Sequence, residues 1–319
     1  PGKNIYQKKN PDIKKIKEIL KDQLISDTPV AFNFSGGVDS FAALSLIDKR
    51  NLYVQTAITD FSTKEDLDFL NIVEDLFKIE INRVNVDNHN FDQFSLRDII
   101  LHTEHPIKFA NLQDYFLSQN LLKNKIKVVT DGEGGDEIFF GYKSFIELIK
   151  LRELNVSKNK FNLKNLKYLI NYFYNRDFLK LLNNHLNYKL TNNLRFKDIF
   201  YMMNSIESRP LYLSQKLWKY IYSNFNVRDL FGNLQGNFVS KYILKKHLLD
   251  IKNKNTEKII NKVIFSEKNS YIQPLRYKKL KEVINNEIDI YFQEIKINTN
   301  KLLFDDKFNL YQYYLFKNI

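Results

Sequence analysis

The sequence predicts an α/β protein: a doubly wound, mostly parallel sheet, followed by a mainly helical region that packs on it. Two observations carry this prediction. Four short apolar runs, "PVAFNF", "LYVQTAIT", "INRVNV" and "IKVVTD", are separated by segments whose apolar residues recur at helical spacing. Strands that alternate with helices are typical of a parallel sheet with helices on both faces. From about residue 144 onward, helical spacing takes over and strand-like alternation is largely absent.

The predicted organisation is a nucleotide-binding α/β core over residues 1–143 and a helical closing region over residues 144–319, with no convincing linker between them. In "NPDIKKIKEILKDQL", Asn10 is the expected N-cap and Pro11 the expected first helical residue. In "STKEDLDFLNIVEDLFKI", Ser62 and Glu65 form the expected capping box. Helices are also predicted at "FAALSLIDK" and "LQDYFLSQNLLKNK". The C-terminal "KLLFDDKFNLYQYYLFKNI" is too aromatic for a free tail, and we expect it to dock.

The composition excludes several kinds of site and argues against a membrane or secreted protein. The 319 residues contain no cysteine, which excludes disulfides, thiolate metal sites and cysteine nucleophiles within this chain. No run approaches the roughly 18 apolar residues of a membrane span. The opening "PGKNIYQKKN" is polar and basic, unlike a signal peptide. We therefore expect a cytoplasmic protein with no membrane partner.

The net charge of +12 is unevenly placed along the chain. Residues 1–150 hold 19 Lys and Arg against 23 Asp and Glu, which leaves 30 against 14 for residues 151–319. A basic half can attract nucleic acid, phosphates or an acidic peptide. The lysines are spread out rather than clustered with arginine, which favours a solvated surface over a nucleic-acid site.

A glycine pair follows the first predicted strand in "VAFNFSGGVDSFAALSL". Gly36 and Gly37 permit a close backbone approach, and the amides at the start of the next helix suit a phosphate group. The hydroxyls of Ser35 and Ser40 add donors. Asp39 is out of place beside phosphate unless Mg²⁺ lies between the two, because this cation binds carboxylate and phosphate oxygens together. The pattern matches neither G-x-x-x-x-G-K-[ST] nor G-x-G-x-x-G.

A second glycine cluster, "IKVVTDGEGGDEIFFGY", also follows a predicted strand and contains Asp131, Glu133, Asp136 and Glu137. Four carboxylates at one strand end repel each other unless a cation lies among them. In a doubly wound sheet, ligands bind beyond the carboxyl ends of the strands, so both clusters are expected to open onto the same edge.

At this point the sequence resembles a known family. "SGGVDS" resembles the pyrophosphatase-type loop of the ATP pyrophosphatases, and "DGEGGDEIFFGY" resembles the second signature of the synthetase domain of asparagine synthetase B. That domain is shared with β-lactam synthetases and lasso-peptide cyclases. Weaker likenesses lie in "TEHPIKFANLQDYFLSQ", "LRFKDIFYMMNSIESRPLYL", "SKYILKKHL" and "FSEKNSYIQPL", so that the resemblance covers about residues 10–280. It implies a fold of the adenine-nucleotide α-hydrolase type.

The resemblance implies a role for each matching residue. The residues implied to bind ATP are Ser35, Gly36, Gly37, Asp39 and Ser40 on its pyrophosphate part, with Thr59, Asp131 and Gly132 along the adenosine. Asp39 and Asp136 would hold Mg²⁺. The residues implied to act at the reaction centre are Glu133, Asp198, which would recognise the amino-acid substrate, and Lys268, which would stabilise developing negative charge. The chain departs from the family pattern at two positions. Asp131 stands where the family usually has serine, and Ser270 stands where the family has a glycine after the lysine.

The implied activity is that of an AMP- and pyrophosphate-forming amide ligase. It would adenylate a carboxylate, aspartate or a relative of it, for attack by ammonia or another amine. Full asparagine synthetases carry a glutaminase domain with a cysteine nucleophile, so a separate glutaminase domain or subunit is a possible partner, and stand-alone use of ammonia or another amine is the alternative.

A cyclase of the lasso-peptide or β-lactam type is an alternative function. A tRNA-modifying ATP pyrophosphatase and a plain RNA-binding protein fit the second acidic loop less well. A non-catalytic scaffold fits poorly with both Mg²⁺ aspartates being present.

Overall fold

The computed structural model describes residues 11–59, 62–86, 96–147, 182, 184–225, 227–265, 278–299 and 301–317. Within these ranges, a five-stranded sheet has the order β3-β2-β1-β4-β5, and every neighbouring pair is parallel. Its strands are β1 Val30–Asn33, β2 Leu52–Ile58, β3 Ile81–Asn85, β4 Val128–Asp131 and β5 Glu207–Pro210. The doubly wound α/β fold predicted from the sequence is confirmed.

Helices surround this sheet. The α-helices before β5 are α1 Ile13–Lys21, α2 Val38–Leu46, α3 Lys64–Phe77, α4 Leu96–Thr103, α5 Leu112–Lys123, the short α6 Gly135–Ile138 and α7 Thr191–Met202, which a π-helical turn precedes. After β5 come α8 Gln215–Asn224, α9 Tyr242–Asp250, α10 Glu257–Phe265, α11 Lys278–Glu294 and α12 Phe304–Lys317, with a small antiparallel hairpin of β6 Gly232–Leu234 and β7 Asn237–Val239 before α9. In the part of the chain described here, each helix is too short or too polar to traverse a bilayer.

The sheet separates hydrophobic cores on its two faces. Successive strand side chains point to opposite faces, and the neighbours Ala31 and Phe32 of β1 accordingly belong to different buried clusters. One large cluster joins β1 to α1, α2, α3 and the helices α8 to α10. A second joins α4, α5 and α7 to α11 and α12. This second cluster includes Phe308, Tyr311 and Leu315 of α12, so the C-terminal segment docks as expected.

The later part of the chain is not wholly helical. The parallel strand β5 pairs with β4 and extends the sheet, with Asp131 in register with Pro210. The sequence gives little sign of β5, because it is only four residues long, lacks apolar alternation and ends in proline. Since β5 lies beyond residue 143, the later region contributes to the sheet itself. The division of the chain at residue 143 stays a prediction.

Two of the expected helix starts are wrong by one or two residues. α1 begins at Ile13 with Asp12 as its N-cap, whose side chain accepts a hydrogen bond from the amide of Lys14 at 2.9 Å. Asn10, the expected cap, lies outside the described residues. The capping box of α3 consists of Thr63 and Asp66. Ser62 instead accepts a hydrogen bond from the amide of Thr59 at 3.0 Å. Serine and threonine are both preferred N-cap residues, so the adjacent Ser62 and Thr63 are both candidates in the sequence.

Candidate active site

The two glycine loops meet at one edge of the sheet because the strands before them are neighbours. β1 and β4 pair in parallel with Asn33 opposite Asp131, so the chain leaves both strands at the same level. A Cβ added to Gly132 would lie 2.7 Å from the backbone nitrogen of Ser40. This loop-to-loop contact therefore requires a residue without a side chain at position 132.

The first loop forms the N-terminus of α2. Gly36 has a φ of 73°, in the left-handed region, and Gly37 is the N-cap of α2. The hydroxyl of Ser35 donates to the hydroxyl of Ser40 at 2.9 Å, and Ser40 in turn donates to the carbonyl of Gly37 at 3.1 Å. Backbone amides at a helix N-terminus suit a phosphate group, so this loop has the chemistry that the sequence suggested.

The second loop carries the acidic side chains into the same space. Asp131 accepts a hydrogen bond from the amide of Glu133 at 2.8 Å, which folds the loop back on the end of β4. Gly134 has a φ of 88° and precedes α6. A Cβ on Gly135 would lie 2.5 Å from the Asp39 Oδ1. The structure thus brings Asp39 against the start of α6, where Asp136 follows.

Asp39 and Asp136 converge on a single cation, the ammonium of Lys241. The Lys241 Nζ lies 2.5 Å from the Asp39 Oδ2 and 2.5 Å from the Asp136 Oδ1. Lys241 is buried at the start of α9, with a left-handed φ of 54°. Burial by itself lowers the pKa of Lys241, but the two carboxylates outweigh it and hold the pKa above its ordinary value. Lys241 lies in the quoted "SKYILKKHL", but no local pattern in the sequence predicts its role.

A second charged group lies at the other side of the loop. The Lys197 ammonium of α7 forms an ion pair with Asp131 and lies 3.6 Å from the Glu133 Oε2. Burial raises the pKa of Glu133, Lys197 lowers it, and Asp131 raises it, with a net upward shift. Asp114 of α5 also faces Lys197, and burial raises the pKa of Asp114 to about 6. Neither Lys197 nor Asp114 was singled out from the sequence.

A cavity of about 330 Å³ opens between these groups. Carboxylates of six residues line it, together with one lysine, hydroxyls and the glycine backbone. The lining residues are Asn33, Phe34, Ser35, Asp39, Ser40, Ala57, Gln113, Asp114, Leu117, Asp131, Gly132, Glu133, Gly134, Gly135, Asp136, Glu137, Tyr142 and Lys197. Glu137 is buried and accepts a hydrogen bond from the Tyr142 hydroxyl, and the Tyr142 ring stacks on His185 with centroids 4.1 Å apart.

Not every residue implied by the resemblance reaches this cavity. Gly36 and Gly37 lie in the loop beside it without lining it. Thr59 is buried just after β2 and is not among the lining residues. Asp198 is exposed on α7, where its neighbour Lys197 turns inward instead. Lys268 lies outside the described residues.

The arrangement fits Mg²⁺ shared with a phosphate. Two carboxylate oxygens already surround one positive charge at 2.5 Å each. Among the described residues no group of three or more His, Cys, Asp or Glu side chains is placed to hold a metal ion. Mg²⁺ is commonly held by one or two carboxylates plus substrate phosphates, so a pair beside a phosphate loop has the right donor chemistry.

Comparison with known proteins decides the family. The family model described as "Asparagine synthase" matches residues 14–289, most of the chain. The chain belongs to the asparagine synthase family. This is the family of ATP-dependent ligases and amidotransferases that the two glycine loops indicated.

Individual asparagine synthase relatives are distant and longer. A protein of Methanocaldococcus jannaschii named "Putative asparagine synthetase (glutamine-hydrolyzing) 2" is 28% identical over 153 residues, 45% of this chain and 29% of that protein. "Amidase chyE" of Penicillium rubens is 28% identical over 149 residues, 41% of this chain and 22% of its own length. The matched stretch therefore spans less than a third of either relative. Among solved structures, the U34-tRNA thiolase NcsA of Methanococcus maripaludis aligns with 79% of this chain and 76% of its own at 12% identity and a TM-score of 0.32.

Proposed function

We propose that this asparagine synthase family member is an amide ligase that forms AMP and pyrophosphate. A substrate carboxylate, aspartate or a relative of it, attacks the α-phosphate of ATP and releases pyrophosphate. Ammonia or another amine then attacks the activated carbonyl and displaces AMP. The observation that supports this most is the convergence of Asp39 and Asp136 on one cation beside the glycine loop.

The phosphate end of the cavity has the parts this reaction needs. The amides around Gly36 and Gly37 and the Ser35 and Ser40 hydroxyls would bind the pyrophosphate part of ATP. Asp39 and Asp136 would hold Mg²⁺, which when bound supplies positive charge that offsets the charge on phosphate oxygens. The Lys241 ammonium, which contacts both aspartates, would add positive charge beside the phosphates.

The other end of the cavity would receive the acyl group and the amine. Glu133 faces this space with Lys197 and Asp131. Asp131 and Gly132 would lie along the nucleotide. Catalysis would consist mainly of holding the reactants in line and stabilising charge. The roles implied for Thr59, Asp198 and Lys268 stay predictions.

The test is exchange of labelled pyrophosphate into ATP, run over a panel of carboxylates with aspartate first. The wild-type protein should catalyse exchange with at least one carboxylate and release AMP, and Asp39→Asn and Asp136→Asn should each lower the exchange rate about 100-fold or more. Asp27→Asn, an exposed carboxylate at the opposite end of β1, should leave the rate unchanged. ADP as the product, or equal rates in all three variants, would contradict the proposal.

A further inference from the structure

Helix α7 contributes a lysine to the cavity wall. Lys197 is only 8% exposed, and its ammonium pairs with Asp131 and lies 3.6 Å from the Glu133 Oε2. Arg195, two residues earlier on the same helix, is exposed to solvent. The same helix therefore presents one cation to the cavity and another to water.

Burying an ammonium group is costly unless opposite charges compensate it. Burial lowers the pKa of Lys197, but Asp131, Glu133 and Asp114 raise it further, so that the pKa stays well above its ordinary value. Lys197 is thus a permanent cation at neutral pH. Its placement among three carboxylates is the reason that it can be buried at all.

Lys197 also favours the ionised form of Glu133, against burial and the neighbouring carboxylates. The charged groups that face this carboxyl are Lys197 on α7, Asp131 on β4, Asp136 and Glu137 on α6 and Asp114 on α5. Of these only Lys197 favours the ionised form of Glu133, because the other four are carboxylates. Removing the ammonium would leave Glu133 half-buried among like charges, where protonation is favoured.

The charges also indicate what binds at this end of the cavity. One ammonium cannot offset three carboxylates, so the excess negative charge favours a positively charged ligand over a negatively charged one. An amine in its ammonium form has this charge and donates hydrogen bonds to carboxylates. The second substrate of an amide ligase is an amine.

We propose that Lys197 is a positioning residue that holds the Glu133 carboxylate ionised and directed into the cavity, where it accepts a hydrogen bond from the ammonium group of the amine substrate. This role rests on the proposed amide-ligase function. It assigns the amine to the α7 side of the cavity and the phosphates to the side of Asp39 and Asp136.

The kinetic test separates binding of the amine from binding of ATP. In Lys197→Met the KM for the amine should rise at least about 10-fold, the loss expected for one charge-assisted hydrogen bond, while the KM for ATP changes less than about 2-fold. The acid limb of the pH profile for amide formation should move to higher pH, because Glu133 is protonated more readily. Lys197→Arg, which keeps the charge, should restore most of the amine affinity, and Arg195→Met should match the wild type. An unchanged amine KM in Lys197→Met would overturn the proposal.

Thermal unfolding without any ligand tests the charge cluster independently of catalysis. A carboxyl whose folded-state pKa is raised stabilises the fold below its unfolded pKa, and this contribution is lost as the pH rises through the folded pKa. Lys197→Met raises the pKa of both Glu133 and Asp114 further, so between pH 6 and pH 8 its Tm should fall at least about 3 °C more than that of the wild type. Lys197→Arg and Arg195→Met should show the wild-type pH dependence.

Failure of the proposed function and failure of the role of Lys197 give different results in the activity and unfolding measurements. A wild-type protein without pyrophosphate exchange would refute the proposed function and with it the assignment of the amine. The unfolding data would still decide whether Lys197 keeps the carboxyls of Glu133 and Asp114 ionised. The same pH dependence of the Tm in Lys197→Met and the wild type would overturn that part, whatever the activity.

Discussion

At the scale of single residues, Gly132 joins the two halves of the site. A side chain at this position would meet the Ser40 nitrogen at 2.7 Å and the Asp39 carbonyl carbon at 2.8 Å, both of them backbone atoms that cannot rotate away. Gly37, in the facing loop, has its nearest obstacle at 3.7 Å, the Ser35 Oγ, which is an ordinary contact. Of the two glycines, therefore, only Gly132 is required by the packing of one loop against the other.

This difference predicts unequal effects on stability. Gly132→Ala should lower the free energy of unfolding by about 1–3 kcal/mol, because the two loops must move apart to admit the methyl group. Gly37→Ala should cost less than about 1 kcal/mol, since its φ of −77° suits alanine and only the N-cap preference is lost. Urea unfolding of both variants measures the difference. Equal stabilities would show that the loops separate without cost.

At the scale of elements, a chain of buried amides ties the sheet to the helices behind the cavity. Gln55 of β2 donates to the Asn33 Oδ1 of β1 at 2.8 Å and accepts from the Asn120 Nδ2 of α5 at 2.8 Å. Asn33 in turn donates to the Tyr201 hydroxyl of α7 at 2.5 Å. Because Asn33 also lines the cavity, this network fixes its wall relative to α5 and α7. Satisfied buried networks of this kind hold elements in one arrangement.

Breaking the network at its centre should be costly. Gln55→Leu fills the same space but leaves the Asn33 oxygen without its donor and removes one acceptor of Asn120, so we expect a loss of about 2–4 kcal/mol in the free energy of unfolding. Tyr53→Phe removes only the other acceptor of Asn120, at 3.0 Å on the half-buried edge, and should cost about 1 kcal/mol or less. Chemical denaturation of the two variants provides the comparison. A Gln55→Leu protein as stable as Tyr53→Phe would show that the network does not hold the sheet to α5.

At the scale of the whole molecule, the two ends of the described chain close over separate faces of the sheet. α1 packs in the cluster of β1 and α2, and α12 packs in the cluster of α4 and α5. Gln312 of α12, which is 1% exposed, forms two hydrogen bonds with the backbone of Ile107, between α4 and α5. Its Oε1 accepts from the Ile107 amide at 2.6 Å, and its Nε2 donates to the Ile107 carbonyl at 3.1 Å. The fold therefore depends on its last helix.

Loss of this contact should destabilise the whole fold rather than fray one helix. Gln312→Ala leaves a buried amide and a buried carbonyl of Ile107 unpaired, which should cost about 2–4 kcal/mol and lower the Tm of a single unfolding transition. Asn309→Ala, an exposed position on the same helix, should leave the Tm within about 1 °C. A separate early transition in Gln312→Ala would mean instead that α12 unfolds on its own.

The sequence predicted the first four strands because each is a short apolar run bounded by turn or helix signals. It did not predict β5, whose residues Glu207–Pro210 join the sheet only because Thr130 and its neighbours of β4 offer a free edge for pairing. Neither did it separate Thr63 from Ser62 as the cap of α3, since the two residues are adjacent and both are preferred N-caps. Local patterns fix the kind of element, and packing fixes its limits.

The sequence by itself determined the family, the α/β fold and the two glycine loops, since these follow from short-range spacing and from motifs of adjacent residues. Only the tertiary structure decided which cations complete the site. Lys241 lies 202 residues from Asp39, yet the two form an ion pair, and Lys197 rather than Asp198 reaches the cavity because a helix turns neighbouring side chains by about 100°. Pairing across such separations depends on how the helices pack on the sheet, and in a chain rich in lysine no local pattern distinguishes the two that reach the site.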